Sequence, residues 1–103
     1  MNTNLSNRDQ LAIVKRCIER NPFAWEDFVD TFMEPVLFVV DQTTKRRNVV
    51  LNDSQRGRMC EAVFRSLRHN DFQLLREFEG RSSAMTYLII LARRLVVGFL
   101  EVR

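Results

Sequence analysis

The chain has 103 residues, a length that suffices for one compact domain, and its 46% hydrophobic content argues against a disordered polypeptide. Only three glycines and two prolines are available for turns, which argues against a β sandwich and favours an all-α fold. The formal charge of +3 is modest, but arginine dominates the basic residues, and its planar guanidinium suits phosphate and carboxylate partners.

The first predicted helix covers residues 9–20. Asn7 or Asp9 is its expected N-cap, and Asn21-Pro22 is its expected end. Residues 1–8 are expected to be a flexible start. The residues at helical spacing that should be buried are Leu11, Val14, Cys17 and Ile18.

The second helix is predicted to begin at Phe23 or Ala24, with acidic residues in its first turn, where they favour the helix dipole. Pro35 removes a backbone donor and crowds the preceding turn, so we expect a kink or break there. The helix should then resume and close at the basic residues 45–47. Its expected apolar stripe consists of Trp25, Phe28, Val29 and Phe32.

A connector at residues 48–53 precedes the third helix, for which Asp53 or Ser54 is the expected cap and His69 the approximate end. A short fourth helix should begin at Asn70-Asp71. The expected buried residues in this part are Met59, Cys60, Val63, Phe64, Leu67, Phe72, Leu75 and Phe78.

The loop 80–83 is followed by a last helix that is predicted to run from Ser83 to Val102. We therefore expect a single all-α domain over residues 1–103, a bundle of four to five helices. The expected buried residues of the last helix are Leu88, Leu91, Ala92, Leu95 and Phe99.

The loop and the start of the last helix combine features that suit an unpaired nucleic-acid base. Gly80 lets the backbone approach a ligand, the hydroxyls of Ser82 and Ser83 can bond base edges, and a helix start offers free amides. Ordinary helix capping explains the serines as well. Tyr87 can stack on a base or pack in the core, and Arg93 with Arg94 would be awkward in a wholly buried helix.

Residues 78–94 resemble region two of the extracytoplasmic-function class of bacterial sigma factors, and the resemblance extends over residues 25–103. The family pattern is Phe-Arg-Gly-x-Ser-Ser, then Thr-Trp/Tyr-Leu, then Ala-Arg. Arg94 stands where the family often has Asn, and Gly98 where it often has Asp, which affects base preference. The DNA contacts that the resemblance implies are Arg81, Ser82, Ser83, Thr86, Tyr87, Arg93 and Arg94.

The third predicted helix resembles the polymerase-binding segment of the same family, commonly Asp-Leu-x-Gln-Glu-Val-Phe-x-Arg-Leu, at residues 58–67. Arg58 replaces an acid and Ala62 replaces a polar contact. Without the family pattern, a solvated helix face would be the default interpretation. The resemblance implies contacts to the clamp coiled coil of the large polymerase subunit from Arg58, Glu61, Ala62, Phe64 and Arg65.

The function that the resemblance implies is a transcription initiation domain that binds core RNA polymerase and recognises and melts the minus-ten promoter element through its non-template strand. It also adds an anti-sigma factor to the expected partners. Complete members carry a downstream helix-turn-helix domain, which the 103 residues do not include. The alternative is a helical protein-interaction module without a nucleic-acid role, which would dock through Ile89, Ile90, Val97 and Leu100.

The chain offers little for catalysis or metal binding. His69 is the only histidine, and the carboxylates form no common active-site pattern. Cys17 and Cys60 belong to no Cys-x-x-Cys or Cys/His cluster, so we expect reduced core residues rather than metal ligands. We therefore expect no enzymatic activity and no cofactor.

The start of the chain lacks the basic and apolar regions of a secretion signal. The apolar run at residues 84–100 is short for a membrane span, and Arg93 and Arg94 interrupt it. We expect a cytoplasmic protein without a membrane partner.

Overall fold

A computed structural model describes residues 5–101, and four helices make up most of this range. They are α1 (Asn7–Ile18), α2 (Ala24–Arg46), α3 (Asp53–Arg76) and α4 (Ala84–Glu101). Each helix packs against the other three, and no strand occurs in the described range. The prediction of an all-α bundle is confirmed.

Helix α1 begins earlier than predicted because Ser6 is its N-cap. The Ser6 hydroxyl accepts a hydrogen bond from the Asp9 amide at 3.1 Å. Asn7 is the first helical residue, so the prediction that Asn7 or Asp9 caps the helix is wrong. Residues 6–8 belong to the cap and first turn rather than to a flexible start, whereas residues 1–4 lie outside the described range.

Helix α2 begins at Ala24, as predicted, and continues through Pro35 without the expected break. Proline removes one backbone hydrogen bond from the helix interior. The residues on both sides of it, Phe32 and Val36, are buried in the same core, and that burial holds the two halves in one helix.

Helix α3 is capped by Asn52 rather than by Asp53 or Ser54. The side-chain oxygen of Asn52 accepts a hydrogen bond from the backbone N–H of Gln55 at 2.8 Å. The side-chain oxygen of Gln55 accepts one from the backbone N–H of Asn52 at 3.0 Å. This reciprocal pair is a capping box. The spacing Asn-x-x-Gln is visible in the sequence.

The predicted end of the third helix near His69 corresponds to a sharp break within α3. Asn70, Asp71 and Phe72 have φ values of 55°, 57° and 60°, in the left-handed region. Asn and Asp adopt this region more readily than other side chains, whereas phenylalanine rarely does. Phe72 is nevertheless buried, so packing of its ring holds the unusual backbone in place.

Ion pairs to Asp71 fix this break against the end of α1. Arg20 lies 2.7 Å and Arg76 3.2 Å from the Asp71 carboxylate, and Arg76 also donates to the Ile18 carbonyl at 2.9 Å. The hydrogen bond from Arg20 lowers the pKa of the Asp71 carboxyl. The connection between α1 and α2 is thereby joined to the turn in α3.

A cluster of aromatic rings occupies the centre of the bundle. Phe28 is fully buried, stacks on Trp25 at 5.3 Å between ring centroids, and contacts Phe32 at 4.8 Å and Phe64 at 6.2 Å. Phe72 completes the cluster, 5.7 Å from Trp25. The rings connect α2 to both parts of α3.

Most predicted core residues are buried, and the exceptions lie at the edges of the helical stripes. The half-buried exceptions are Leu11, Ile18, Trp25, Val29, Met59, Phe78, Leu95 and Phe99. Conversely, Val96 is buried although it was not predicted to be.

Both cysteines are buried and free, as predicted. Burial raises the pKa of the Cys17 thiol to about 11, and it also raises the pKa of the Cys60 thiol. Within residues 5–101, no helix combines the length and apolar character needed to cross a membrane.

We expect Phe28→Ala to lower the free energy of unfolding by about 3–5 kcal/mol, because it empties the centre of the aromatic cluster. This is a large part of the roughly 5–15 kcal/mol typical of a domain. Chemical denaturation would measure the change. Phe38→Ala is the matched control, because Phe38 lies on the same helix but is 60% exposed, and it should have little effect. Equal losses in both variants would contradict the assignment of Phe28 as the centre of the core.

Candidate functional site

The loop before α4 has a backbone that requires glycine. Gly80 has a φ of +78°, a conformation that residues with a Cβ rarely adopt. Arg81 follows it, is exposed, and makes a 3.2 Å ion pair with Glu79. Such exposed pairs contribute little energy, so the Arg81 guanidinium is available to a phosphate.

Both serine hydroxyls of the loop have partners within the chain. Ser83 caps α4, since its hydroxyl accepts from the Thr86 amide at 3.1 Å and donates to the Thr86 hydroxyl at 3.0 Å. The Ser82 hydroxyl donates to the Ser83 carbonyl at 3.1 Å. The capping interpretation of Ser83 is thus confirmed. Contact of either serine with a base stays a prediction and would require these bonds to be exchanged.

Asn7 is a residue of this site that sequence reasoning missed. Its side-chain oxygen accepts from the Ala84 amide at 2.8 Å, across a separation of 77 residues. The bond occupies the first free amide of α4 and joins the starts of α1 and α4. No local sequence signal indicates this contact, because it depends on how the two helices meet.

Tyr87 is held by two contacts with the segment that precedes the loop. Its hydroxyl donates to the Leu74 carbonyl at 2.7 Å, and its ring lies 4.6 Å from that of Phe78 between centroids. Partial burial raises the pKa of the hydroxyl. In the free domain Tyr87 is therefore a packing residue that leaves only part of its ring accessible.

The outward face of α4 is basic. Thr86, Ile90, Arg93 and Arg94 are all exposed, at spacings that place them on one side of the helix. Neither arginine forms an ion pair with a carboxylate within the described part of the chain. From Thr86 to Arg93 the face extends about 10 Å along the helix axis.

A second surface, the α2–α3 groove, is an open depression of about 660 Å³ between these two helices. Its α2 wall consists of four half-buried apolar side chains, each four residues after the last: Trp25, Val29, Met33 and Leu37. Its α3 wall consists of Gly57, Cys60, Glu61, Phe64, Arg65 and Arg68. The groove is mainly apolar with a charged α3 rim.

Charged side chains on the rim are already engaged with neighbours. Arg65 lies 3.0 Å from Glu61, one helical turn earlier, and both are largely exposed. The Arg68 guanidinium lies 5.2 Å from the centre of the Trp25 ring, in a cation–π contact. The rim thus places one carboxylate and two guanidinium groups beside the apolar side chains of the groove.

The groove includes only part of the predicted polymerase-binding set. Glu61, Phe64 and Arg65 line it, whereas Arg58 is exposed and Ala62 half-buried outside its lining. Phe64 retains only 5% of its surface and packs edge-on against Phe28, which confirms that it is a core residue, while its contact with polymerase stays a prediction.

Sequence reasoning missed most of the α2 wall. Trp25 and Val29 were expected in the core, and Met33 was not assigned. A signal was present, because the apolar positions of α2 cover more of its circumference than one buried face requires. Gly57 was missed too. In the structure, a Cβ added at this residue would meet no atom within 4 Å.

Two smaller depressions lie near the two ends of α2, and the one at its start shares Trp25 and Arg68 with the α2–α3 groove. One contains Phe23 and the other Val50, which are 76% and 92% exposed. Arg56 crosses from α3 to Asp41 on α2 with two hydrogen bonds of 2.6 and 2.8 Å, and this pairing lowers the pKa of the Asp41 carboxyl. The α2 wall of the groove itself, from Trp25 to Leu37, is about 18 Å long, which suits a helical partner of a few turns.

Within residues 5–101, no three His, Cys, Asp or Glu side chains are grouped so as to hold a metal ion. Comparison of the chain with known protein families, with curated proteins and with solved structures finds no match. Any assignment of function must therefore start from the chain's own surfaces.

We expect Tyr87→Phe to lower the free energy of unfolding by about 1 kcal/mol, because the Leu74 carbonyl loses its donor while the ring remains. In a domain of this size that corresponds to a fall of about 4–8 °C in Tm. Arg94→Gln, on the exposed face of the same helix, serves as the control and should leave Tm nearly unchanged. An unchanged Tm for Tyr87→Phe would mean that the hydroxyl bond contributes nothing to α4.

Proposed function

We propose that this chain is a transcription initiation domain similar to sigma-factor region two, which binds core RNA polymerase and captures the non-template strand of a melted minus-ten element. The α2–α3 groove carries the proposal. It is an apolar groove on α3, at the segment 58–67 that resembles the polymerase-binding region. Residues 78–94 supply the second part of the resemblance.

The α2–α3 groove suits a helical partner such as a coiled coil. Side chains at four-residue intervals on α2 form a ridge, and the side chains of another helix can pack into the groove beside it. Glu61 and Arg65 on the rim supply opposite charges that can set the partner's register. Gly57 carries no side chain, which lets a partner backbone approach closely at that point.

The basic face of α4 and the loop suit a single strand of DNA. Arg81, Arg93 and Arg94 can neutralise phosphates, since none is held in a buried ion pair. A base at the loop would exchange the internal bonds of Ser83 and Asn7 for its own. The strand would be held open because the domain binds the single strand more tightly than the duplex.

A second candidate is a helical protein-interaction module without a nucleic-acid role. The internal hydrogen bonds of Ser83, Tyr87 and the Ala84 amide favour it, because they leave the start of α4 satisfied without a ligand. Its docking surface would then be the α2–α3 groove. The docking face predicted on α4 offers little apolar surface, since Ile90 is exposed but Ile89, Val97 and Leu100 are half-buried.

We expect Gly57→Gln to abolish or strongly weaken binding to core RNA polymerase, because the new side chain occupies the groove. The fold should not suffer, since an added Cβ meets no atom within 4 Å and glycine within a helix is unfavourable by about 1 kcal/mol. Surface-immobilised core polymerase would measure affinity, and thermal unfolding would measure stability.

Gly98→Gln is the matched control, because Gly98 is also a helical glycine with open space but lies on α4, outside the groove. It should gain similar stability and bind polymerase like the parent. If both variants bind equally well, the α2–α3 groove is not the polymerase interface. If the parent itself fails to bind polymerase, the interaction-module candidate takes precedence.

We expect Arg93→Gln with Arg94→Gln to reduce the salt dependence of single-stranded minus-ten oligonucleotide binding. Each phosphate contact contributes roughly 0.7 to the slope of log affinity against log salt, so the slope should fall by about 1 to 1.5. Fluorescence anisotropy over a range of salt concentrations would measure it.

Lys15→Gln with Arg46→Gln removes the same charge from exposed residues in the last turns of α1 and α2, outside the loop and the α4 face, and should leave that slope almost unchanged. An equal decrease in both double variants would indicate general electrostatic attraction. Equal binding of random and minus-ten strands by the parent would contradict promoter recognition.

A further inference from the structure

A third surface, the acidic groove, lies where α1, α2 and the start of α4 meet. It is an open depression of about 770 Å³ and shares no lining residue with the α2–α3 groove. Asp27, Asp30 and Glu34 lie along its α2 side, and Phe38 ends that row. Neither the sequence resemblance nor the proposed function assigns a role to it.

The acidic groove has the opposite charge to the chain as a whole. The formal charge is +3, yet no lysine or arginine lines this groove. Asp27 is paired with Arg16 at 2.8 Å, whereas Asp30 and Glu34 have no ion pair within residues 5–101. These two exposed carboxylates are four residues apart on α2, so they project from the same side of the helix.

Pro35 adds a backbone acceptor to the same place. Because residue 35 has no N–H, the Thr31 carbonyl lacks the donor that it would have in a regular helix. Thr31 and Pro35 both line the groove; Thr31 directly follows Asp30 in the sequence, and Pro35 directly follows Glu34. The site therefore presents hydrogen-bond acceptors that a cationic donor can satisfy.

Apolar side chains lie beside these acceptors. Phe38 is 60% exposed, and Ile13 and Met85 are half-buried in the same lining. An exposed aromatic ring next to other apolar atoms is typical of a contact surface. A ligand that contacted both the hydrogen-bond acceptors and these apolar side chains would need cationic and apolar side chains at neighbouring positions.

We propose that the acidic groove binds a basic amphipathic helix of a protein partner. An arginine or lysine of that helix lies between Asp30 and Glu34, beside the Thr31 carbonyl, whose regular helical donor Pro35 removes. Its apolar residues pack on Phe38, Ile13 and Met85. Arginine suits the position best, because its planar fork can donate to both carboxylates at once.

This inference is independent of the polymerase and DNA surfaces. The Gly57 and Arg93 variants test those surfaces and leave the acidic groove unaltered, so either proposal can fail without the other. Another occupant would be the basic face of α4 on a second copy, which carries Ile90, Arg93 and Arg94.

The experiment uses the full chain and a fluorescently labelled synthetic helix of leucine and arginine in a heptad repeat, with binding measured by anisotropy. We expect Asp30→Asn with Glu34→Gln to weaken binding at least about fivefold, as two lost ion pairs predict. Phe38→Ala should weaken it as well, because the apolar contact is lost. Thermal unfolding should be nearly unchanged, since all three side chains are exposed.

Glu19→Gln with Asp53→Asn is the charge-matched control, because both residues are exposed and neither lines the groove. It should bind the probe like the parent, and a leucine–glutamate helix should not bind. Equal affinities for the two double variants would mean that the probe binds by general charge attraction, and they would overturn the proposal. An unchanged affinity for Phe38→Ala would overturn it as well, because the apolar contact would then be absent. Self-association of the parent that Arg93→Gln with Arg94→Gln removes would instead identify a second copy as the occupant.

Discussion

The stack of Phe28 on Trp25 is the contact on which the rest of the structure depends. Phe28 lies at the centre of the core, and Trp25 extends from it to the surface, where it forms a wall of the α2–α3 groove. Phe64 and Phe72 hold the two parts of α3 against the same pair. The distance between α2 and α3, and with it the width of the groove, is therefore set by packing in the core.

Helix α2 supplies residues to three environments at once. One side is buried in the bundle, a second lines the α2–α3 groove and a third lines the acidic groove. Its apolar positions are for this reason too numerous for a single buried face. The two surfaces differ in chemistry, because the α2–α3 groove has charges of both signs on its rim whereas the acidic groove has only carboxylates, and we expect them to take different partners.

Polar contacts between distant residues position the loop before α4. Asn7 holds the Ala84 amide, and Tyr87 holds the Leu74 carbonyl, so the loop is fixed at both sides. The Asp71 ion pairs fix the preceding turn. A base taken up by the loop would displace the bonds of Ser83 and Asn7, whereas the Tyr87 bond and the Asp71 ion pairs would keep the flanking segments in place.

The sequence by itself determined the helices, because apolar spacing and proline, glycine and capping residues act within a turn or two. It indicated the break near His69 and that Arg93 and Arg94 would not both be buried, and it allowed capping as one of two roles for the loop serines. Tertiary structure decided what depends on contact between distant segments: the bond from Asn7 to Ala84, the continuity of α2 through Pro35, and the division of α2 between core and groove. Local patterns cannot specify these features, since each requires a partner that folding brings from elsewhere in the chain.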